Sequence, residues 1–161
     1  MREEPKPQQF KRAITYGTFD LFHIGHLRLL QAIKERASEV YVGVSTDEFN
    51  ALKGKRSIIP FSQREEIVGA CRYVDHVFPE DNWEQKRSDV RRFGADVFIM
   101  GDDWRGKFDF LSDACEVVYL PRTPDVSSTD IKRFISGFSG DRVKELKDAV
   151  EIIGDLVKAL G

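Results

Sequence analysis

The feature that most constrains this chain is a repeated switch of hydrophobic period, from short β-branched or apolar runs to stretches with apolar residues at helical spacing. Ala13-Ile14-Thr15-Tyr16 ends at Gly17 and gives way to Leu27, Leu30, Ile33 and Ala37 at helical spacing, and Val40-Tyr41-Val42-Gly43-Val44 then reads as a second buried strand. The polar stretch from Thr46 to Pro60 reads as a loop, and Ser62 with Glu65 three residues on reads as a capping box before Ile67, Val68 and Ala70. His76-Val77-Phe78 is a short strand, and Trp83 to Phe93 a helix that Gly94 can close in a left-handed cap. Val97-Phe98-Ile99-Met100 ends at Gly101, Glu116-Val117-Val118-Tyr119-Leu120 is closed by Pro121, and Ser127 with Asp130 opens a helix carrying Ile131, Phe134 and Ile135. Such alternation builds an α/β fold, a doubly wound parallel sheet covered by helices on both faces. Ligands of such sheets sit beyond the carboxyl ends of the strands. Gly17, Gly101 and Pro121 each end a strand there, and each precedes a polar cluster.

The C-terminal stretch differs. Val143, Leu146, Val150, Ile153, Val157 and Leu160 form one apolar seam of alternating three and four spacing, too short for a long coiled coil and weakened by Gly154. It is expected to be a helix packed on its own domain or on a sister subunit, or a tail that orders on contact. The expected organisation is a flexible extension over 1–11, one domain over 12–137 and a C-terminal helical extension over 138–161.

With 41 % hydrophobic and 32 % charged residues, the chain has the balance of a globular protein. No apolar run approaches the roughly eighteen residues of a membrane span, and the first ten residues lack the apolar core of a secretory signal, so no membrane insertion and a cytoplasmic location are expected. A net charge of −2 offers no broad field for nucleic acid, so anion binding has to be local. Cys71 and Cys115, in no metal or redox spacing, read as two buried free thiols.

Local anion binding has an obvious place. Gly17-Thr18-Phe19-Asp20-Leu21-Phe22-His23-Ile24-Gly25-His26 lies between the first strand and the first helix, where unpaired N–H groups and the positive end of the helix dipole favour a phosphate. Gly25 allows close backbone approach, and His23 and His26 fall on one face of the opening turn. A zinc site is the weaker alternative, because only His76 and the two scattered cysteines remain as nitrogen or sulfur ligands.

The string GTFDLFHIGH resembles the signature of the HxGH nucleotidyltransferases and, among them, the cytidylyltransferases. Ser45 to Asn50, Arg72 to Asp75, Asn82 to Lys86, Met100 to Trp104, Gly106 to Leu111 and Tyr119 to Thr123 resemble the cytidylyltransferases that act on glycerol 3-phosphate. The resemblance implies a Rossmann-like sheet of about five strands with an added C-terminal helix. It also implies transfer of CMP from CTP to glycerol 3-phosphate with release of pyrophosphate, Mg2+ travelling with the nucleotide, and a homodimer.

By the same resemblance His23, His26, Lys53 and Arg122 are catalytic. Thr18, Phe19, Gly25, Lys55, Asp103, Thr123, Ser127 and Ser128 join His23, His26 and Arg122 at the nucleotide, and Lys53, Arg72, Asp75 and Lys86 meet the acceptor. Asp20 and Asp103 are weak candidates for the metal, Asp20 otherwise holding the loop. Trp83 and Trp104 read as packing, and Arg87, Arg91 and Arg92 as a solvated face. Pro124-Asp125-Val126 and Ser128 depart from the family pattern where a glycine and a threonine are usual, which bears on the turn and on CTP affinity. Two other readings stay open: another acceptor or base (phosphoethanolamine, phosphocholine, another polyol phosphate, or ATP with FMN), and a nucleotide-binding module without turnover. A tRNA synthetase shares the HIGH string, but the chain is too short for a synthetase body and lacks a KMSKS-like loop.

Overall fold

The computed structural model describes residues 8–124, 126–137 and 141–160. In chain order the elements are β1 (Phe10–Gly17), α1 (Ile24–Lys34), β2 (Ala37–Ser45), α2 (Asp47–Leu52), α3 (Phe61–Gly69), β3 (His76–Glu80), α4 (Gln85–Phe93), β4 (Val97–Gly101), β5 (Glu116–Leu120), α5 (Ser128–Gly137) and α6 (Asp141–Leu160). Short 3-10 turns at Asp102–Trp104 and Asp109–Leu111 separate β4 from β5.

The five strands form one sheet in the order β3-β2-β1-β4-β5, and every neighbouring pair is parallel. Side chains alternate across a strand, so a run apolar at every position must be covered on both faces. Ala13 of β1 and Val97 and Ile99 of β4 join Leu30, Ile33, Val40, Val42, Val44 and Val68 on one face. Their neighbours Ile14, Tyr16, Phe98 and Met100 join Phe78, Val90, Phe108 and Leu111 on the other. Each fully buried aliphatic or aromatic side chain contributes about 1.5–3 kcal/mol. The strand order reverses between β1 and β4, so the carboxyl ends of these two strands bound the crevice in which such sheets take ligands.

The strand and helix expectations hold for the sheet and for α1, α4 and α5, with local corrections. Phe10 and Lys11 already belong to β1, and Gln8 is tied by hydrogen bonds to Lys34 O (3.1 Å) and Ser38 Oγ (2.8 Å), so the N-terminal extension is anchored before Arg12. Residues 1–7 of that extension lie outside the described residues. Ala37 opens β2 rather than continuing α1.

The expected loop after Thr46 contains α2, a helix of 6 residues capped by Thr46 Oγ1, which accepts from Phe49 N at 3.2 Å. Two buried residues, Phe49 and Asn50, are all the face it has, too few to register as a period. Ser62 and Glu65 form no capping box: α3 starts at Phe61 after Pro60, and the carboxylate of Asp47 accepts from Phe61 N at 2.9 Å instead. The helix placed at Trp83 begins at Gln85 and ends at Gly94 in the left-handed conformation (φ 59°), as anticipated. Cys71 and Cys115 are free but only half-buried.

The chain divides into two compact units, Met1–Asp125 and Val126–Gly161, so the expected boundary at 137 falls inside the second. That unit consists of α5 and α6, which carry exposed apolar side chains at Phe134, Ile135, Val143, Val150, Ile152 and Ile153. The seam positions Leu146, Val157 and Leu160 and the departure at Asp125 lie outside the described side chains. Among the described residues, no helix is long and apolar enough to cross a membrane.

Candidate active site

The segment that leaves β1 is folded by its glycine and its aspartate. A Cβ at Gly17 would stand 2.9 Å from the Phe19 ring, so glycine there lets Phe19 turn back over the strand end, where it is 4 % exposed. Phe19 and Leu21 have φ values of 54° and 50°, a left-handed conformation costing about 1–3 kcal/mol at such residues. Asp20 between them offsets this cost. Its carboxylate is buried and accepts from Leu21 N (3.1 Å), Ile58 N (2.8 Å) and Ile59 N (2.9 Å), tying this loop to the one before α3. Of the two roles open to Asp20, the structure shows the loop-holding one.

The two histidines then cap α1 with their own side chains. His23 is the N-cap and its Nδ1 accepts from Gly25 N at 3.0 Å; Nδ1 of His26 accepts from His23 N at 3.3 Å. The rings stack with centroids 3.9 Å apart. A nitrogen that accepts from an amide carries no proton, so each neutral imidazole bears its proton on Nε2 and has one N–H left to donate. Burial lowers both pKa values. Arg122 pushes His23 further down, and His23 helps bring His26 to about 4 against the opposing pull of Asp20.

This has a consequence for stability. The unfolded chain protonates His26 near the ordinary histidine value of 6.5 and the folded chain only near 4, so its contribution is complete above pH 6.5 and is lost as pH falls towards 4. The full loss amounts to about 3.5 kcal/mol at about 1.4 kcal/mol per pKa unit. Thermal unfolding at pH 7 and pH 4.5 is expected to show a drop in Tm that is clearly smaller in His26→Gln; equal drops would remove His26 as the cause.

A second group of side chains converges on the ends of β2 and β3. Lys53, just past α2, donates from Nζ to Ser45 Oγ at 3.1 Å and lies 4.2 Å from the Phe49 ring centre. Its pKa falls to about 8, chiefly through burial, with Lys55, Lys86 and Arg64 pushing it the same way and Glu80 resisting. Lys86 of α4 is 1 % exposed; its Nζ pairs with Glu80 Oε1 at 2.5 Å and sits 4.6 Å from the Tyr16 ring and 4.8 Å from that of Trp83. A pocket of about 520 Å³ opens beside them, lined by Lys53, Lys55, Trp83, Trp104, Lys107, Phe108 and Phe110. Trp83 and Trp104 therefore form pocket wall as well as packing, their ring centres 6.0 Å apart.

Three residues that shape this edge escaped the sequence reading. Arg64 is fully buried and donates to Thr18 O (2.6 Å), Ser45 O (2.8 Å), Ile59 O (2.8 Å) and Asp47 Oδ1 (2.7 Å), which binds the ends of β1 and β2 to α3. Its signal was an arginine one helical turn before buried Val68, on the apolar face of α3. Asn50 is fully buried and joins Thr18 Oγ1 (3.1 Å) to Ser57 Oγ (2.8 Å). Glu80 is the third.

Of the residues expected at the site, Thr18, Phe19, Gly25, His23 and His26 lie on the β1–α1 loop and the first turn of α1, Lys53 and Lys55 line the pocket, and Lys86 is buried against Trp83 of its wall. Asp103 is exposed in the turn that follows β4. Arg122 and Thr123 follow the carboxyl end of β5, and Arg122 is close enough to depress the His23 pKa. Ser127 caps α5 within the second unit, its Oγ accepting from Asp130 N at 3.1 Å and donating to Asp130 Oδ2 at 2.6 Å, and Ser128 is the first residue of that helix.

Arg72 and Asp75 are not brought to this edge. Both precede β3, at the amino end of a parallel sheet, where Asp75 accepts from Val40 N (2.7 Å) and pairs with Lys34 Nζ (2.8 Å), and Arg72 stacks over Tyr73. Of the basic group on α4, Arg91 and Arg92 are exposed, whereas Arg87 pairs with Asp113 at 2.9 Å and donates to Phe110 O at 2.5 Å.

The family model described as cytidylyltransferase-like matches residues 14–134, which takes in the sheet from the middle of β1 onward and both groups of side chains. The chain belongs to the cytidylyltransferase-like family. Within it, the chain is 54 % identical over 127 residues to the glycerol-3-phosphate cytidylyltransferase of Bacillus subtilis (strain 168), covering 79 % of this chain and 98 % of that one. It is 51 % identical over 127 residues to the enzyme of the same name from Staphylococcus aureus, covering 79 % and 96 %. A FAD synthase of Pyrococcus abyssi is more distant, at 34 % identity over 57 % of this chain and 63 % of its own. Among solved structures, the lipopolysaccharide core biosynthesis protein of Thermoplasma volcanium superposes with a TM-score of 0.60 at 21 % identity, over 71 % of this chain and 98 % of that one, a likeness of fold.

Proposed function

We infer that the protein is a glycerol-3-phosphate cytidylyltransferase, joining CTP and glycerol 3-phosphate to give CDP-glycerol and pyrophosphate. The observation that carries this reading is the identity of 54 % over nearly the whole length of a relative of that name. The acceptor's phosphate oxygen attacks the α-phosphorus of CTP, a new P–O bond forms, and the bond to the β-phosphate oxygen breaks as pyrophosphate departs. A phosphate is already a competent nucleophile, so no covalent enzyme intermediate is needed; catalysis is positioning and charge stabilisation.

The neutral imidazoles of His23 and His26 each offer an Nε2–H to triphosphate oxygens, and two stacked neutral rings avoid the repulsion of two stacked cations. Backbone N–H groups of Thr18 and Phe19, with Arg122, Thr123 and Lys55, hold the rest of the nucleotide. Lys53 neutralises the acceptor phosphate, while Lys86, buried and paired with Glu80, supports the site from within.

Magnesium belongs to this reading as part of the substrate, bound to the triphosphate and screening the leaving group. Asp20 already accepts three backbone N–H groups, and no cluster of three or more His, Cys, Asp or Glu suited to a metal occurs among the described residues. Asp103 is the carboxylate that fits a contact with the nucleotide-borne cation. A homodimer, as the family resemblance implies, working in the cytoplasm completes the reading.

The test is pyrophosphate release with magnesium, crossing CTP and ATP against glycerol 3-phosphate, phosphoethanolamine, phosphocholine, ribitol 5-phosphate and FMN. Release confined to CTP with glycerol 3-phosphate is expected. Release with another pair overturns the substrate, and silence from protein that binds CTP overturns the activity.

A further inference from the structure

One buried acid at the carboxyl edge has no place in the chemistry described so far. Glu80 ends β3, is 3 % exposed, and both of its carboxylate oxygens are engaged. Oε1 is paired with Lys86 Nζ at 2.5 Å, while Oε2 accepts from Ser45 Oγ at 2.5 Å. Ser45 Oγ in turn accepts from Lys53 Nζ at 3.1 Å. The result is a continuous chain of four side chains, Lys86, Glu80, Ser45 and Lys53, running from the interior to the wall of the pocket. Three elements supply it, since Ser45 ends β2, Glu80 ends β3 and Lys86 lies on α4, with Lys53 just past α2.

The two cations are held differently. Lys86 is enclosed by aromatic rings, with Tyr16, Trp83, Phe49 and Phe108 all within 5.9 Å of its Nζ, whereas Lys53 faces the pocket. An ammonium so enclosed needs a compensating charge, and Glu80 supplies it. Once anchored on Lys86, the carboxylate cannot swing away, and its second oxygen fixes the Ser45 hydroxyl so that its lone pair meets Lys53.

We propose that Glu80 is a positioning residue of the acceptor site: anchored by Lys86, it orients Ser45 and thereby holds Lys53, charged, at the pocket wall where the acceptor's phosphate is met. The inference rests on the activity proposed above. Around Lys53 the opposing influences are Glu80 from β3 and, with like charge, Lys55, Lys86 of α4 and Arg64 of α3, so removing the Glu80 charge leaves burial and three cations acting in one direction.

The experiment compares the native protein with Glu80→Gln and Ser45→Ala. In Glu80→Gln the KM for glycerol 3-phosphate is expected to rise about tenfold at pH 8 and less than threefold at pH 6.5, where Lys53 stays protonated without help, while the KM for CTP stays within about twofold at both. Ser45→Ala is expected to reproduce the pH-dependent rise in weaker form. A rise equal at both pH values, or equal for both substrates, marks a merely structural acid and overturns the proposal, as does a Ser45→Ala enzyme with native constants.

A readout without substrate separates this inference from the proposed activity. In protein carrying 13C at lysine Cε, the Lys53 resonance, identified by its absence in Lys53→Arg, is expected to titrate near pH 8 in the native protein and more than one unit lower in Glu80→Gln. An unshifted midpoint overturns the role of Glu80 whatever the acceptor proves to be. Absence of turnover in the native protein, with the midpoint shifted, overturns the activity alone. If Glu80→Gln does not fold, Ser45→Ala carries the same titration and the same pH comparison.

Discussion

Replacing His26 with alanine is expected to lower kcat about a thousandfold while the protein stays folded and still binds CTP. The magnitude follows from the role: a preorganised donor aimed at charge that develops in the transition state is worth about 10²–10³ in rate. Here the donor is prepared by the backbone. Because Nδ1 of His26 accepts from His23 N, the proton sits on Nε2, and because burial brings the pKa to about 4, the ring is neutral throughout the physiological range. The substitution also removes half of the reciprocal cap on α1 and the contact of the ring with Phe19, at 5.3 Å between centres, and with Phe22, at 5.5 Å.

Losing the cap costs about 1 kcal/mol, well short of unfolding a domain of this size. Steady-state pyrophosphate release, CTP binding by calorimetry and Tm together decide the matter. A kcat within threefold of native removes His26 from the reaction, and a rate loss matched by loss of the folded state makes the residue structural.

What could be read from the sequence divides along a physical line. The inner strands were legible because a strand buried on both faces is apolar at nearly every position, the edge strands β3 and β5 kept shorter apolar runs, and each of the five runs found in the chain is a strand of the sheet. The β1–α1 loop was legible because its glycine, histidines and aspartate are consecutive. Helix α2 was not, since 6 residues with two buried side chains leave no periodic trace. Arg64 and Glu80 were hidden for a different reason: they are buried charges, and their burial depends on partners supplied by other elements, Thr18, Ser45, Ile59 and Asp47 for one and Lys86 with Ser45 for the other.

Asp75 shows the limit of resemblance. A matching string carries the identity of a residue but not its place, and a residue just before a strand of a parallel sheet lies at the amino edge, opposite the ligand crevice. That conclusion was available from the order of the elements alone. Asp75 instead joins the start of β3 to β2 through Val40 and to the end of α1 through Lys34.

Arg64 gives the second large effect, on stability. Arg64→Met keeps much of the volume and removes the guanidinium, leaving the carbonyls of Thr18, Ser45 and Ile59 and the carboxylate of Asp47 without the donor that joins them. Breaking a buried charged group away from its partners costs about 3–5 kcal/mol, and for a chain of this size that is a fall in Tm of about 10 °C. Arg64→Lys is expected to recover little of it, because one ammonium on a flexible stem cannot reach four acceptors that a planar fork reaches at 2.6–2.8 Å.

The damage should also be directional. Thr18 and Ser45 mark the ends of β1 and β2, and Ile59 lies beside the Asp20 carboxylate, so loosening all three releases the loop that carries the histidines before it disturbs the rest of the sheet. Hydrogen exchange in Arg64→Lys is therefore expected to speed first at the amides of Leu21, Ile58 and Ile59, which donate to Asp20, with β4 still protected. Uniform acceleration across the sheet would instead make Arg64 a general contributor to stability, with no particular hold on the catalytic loop.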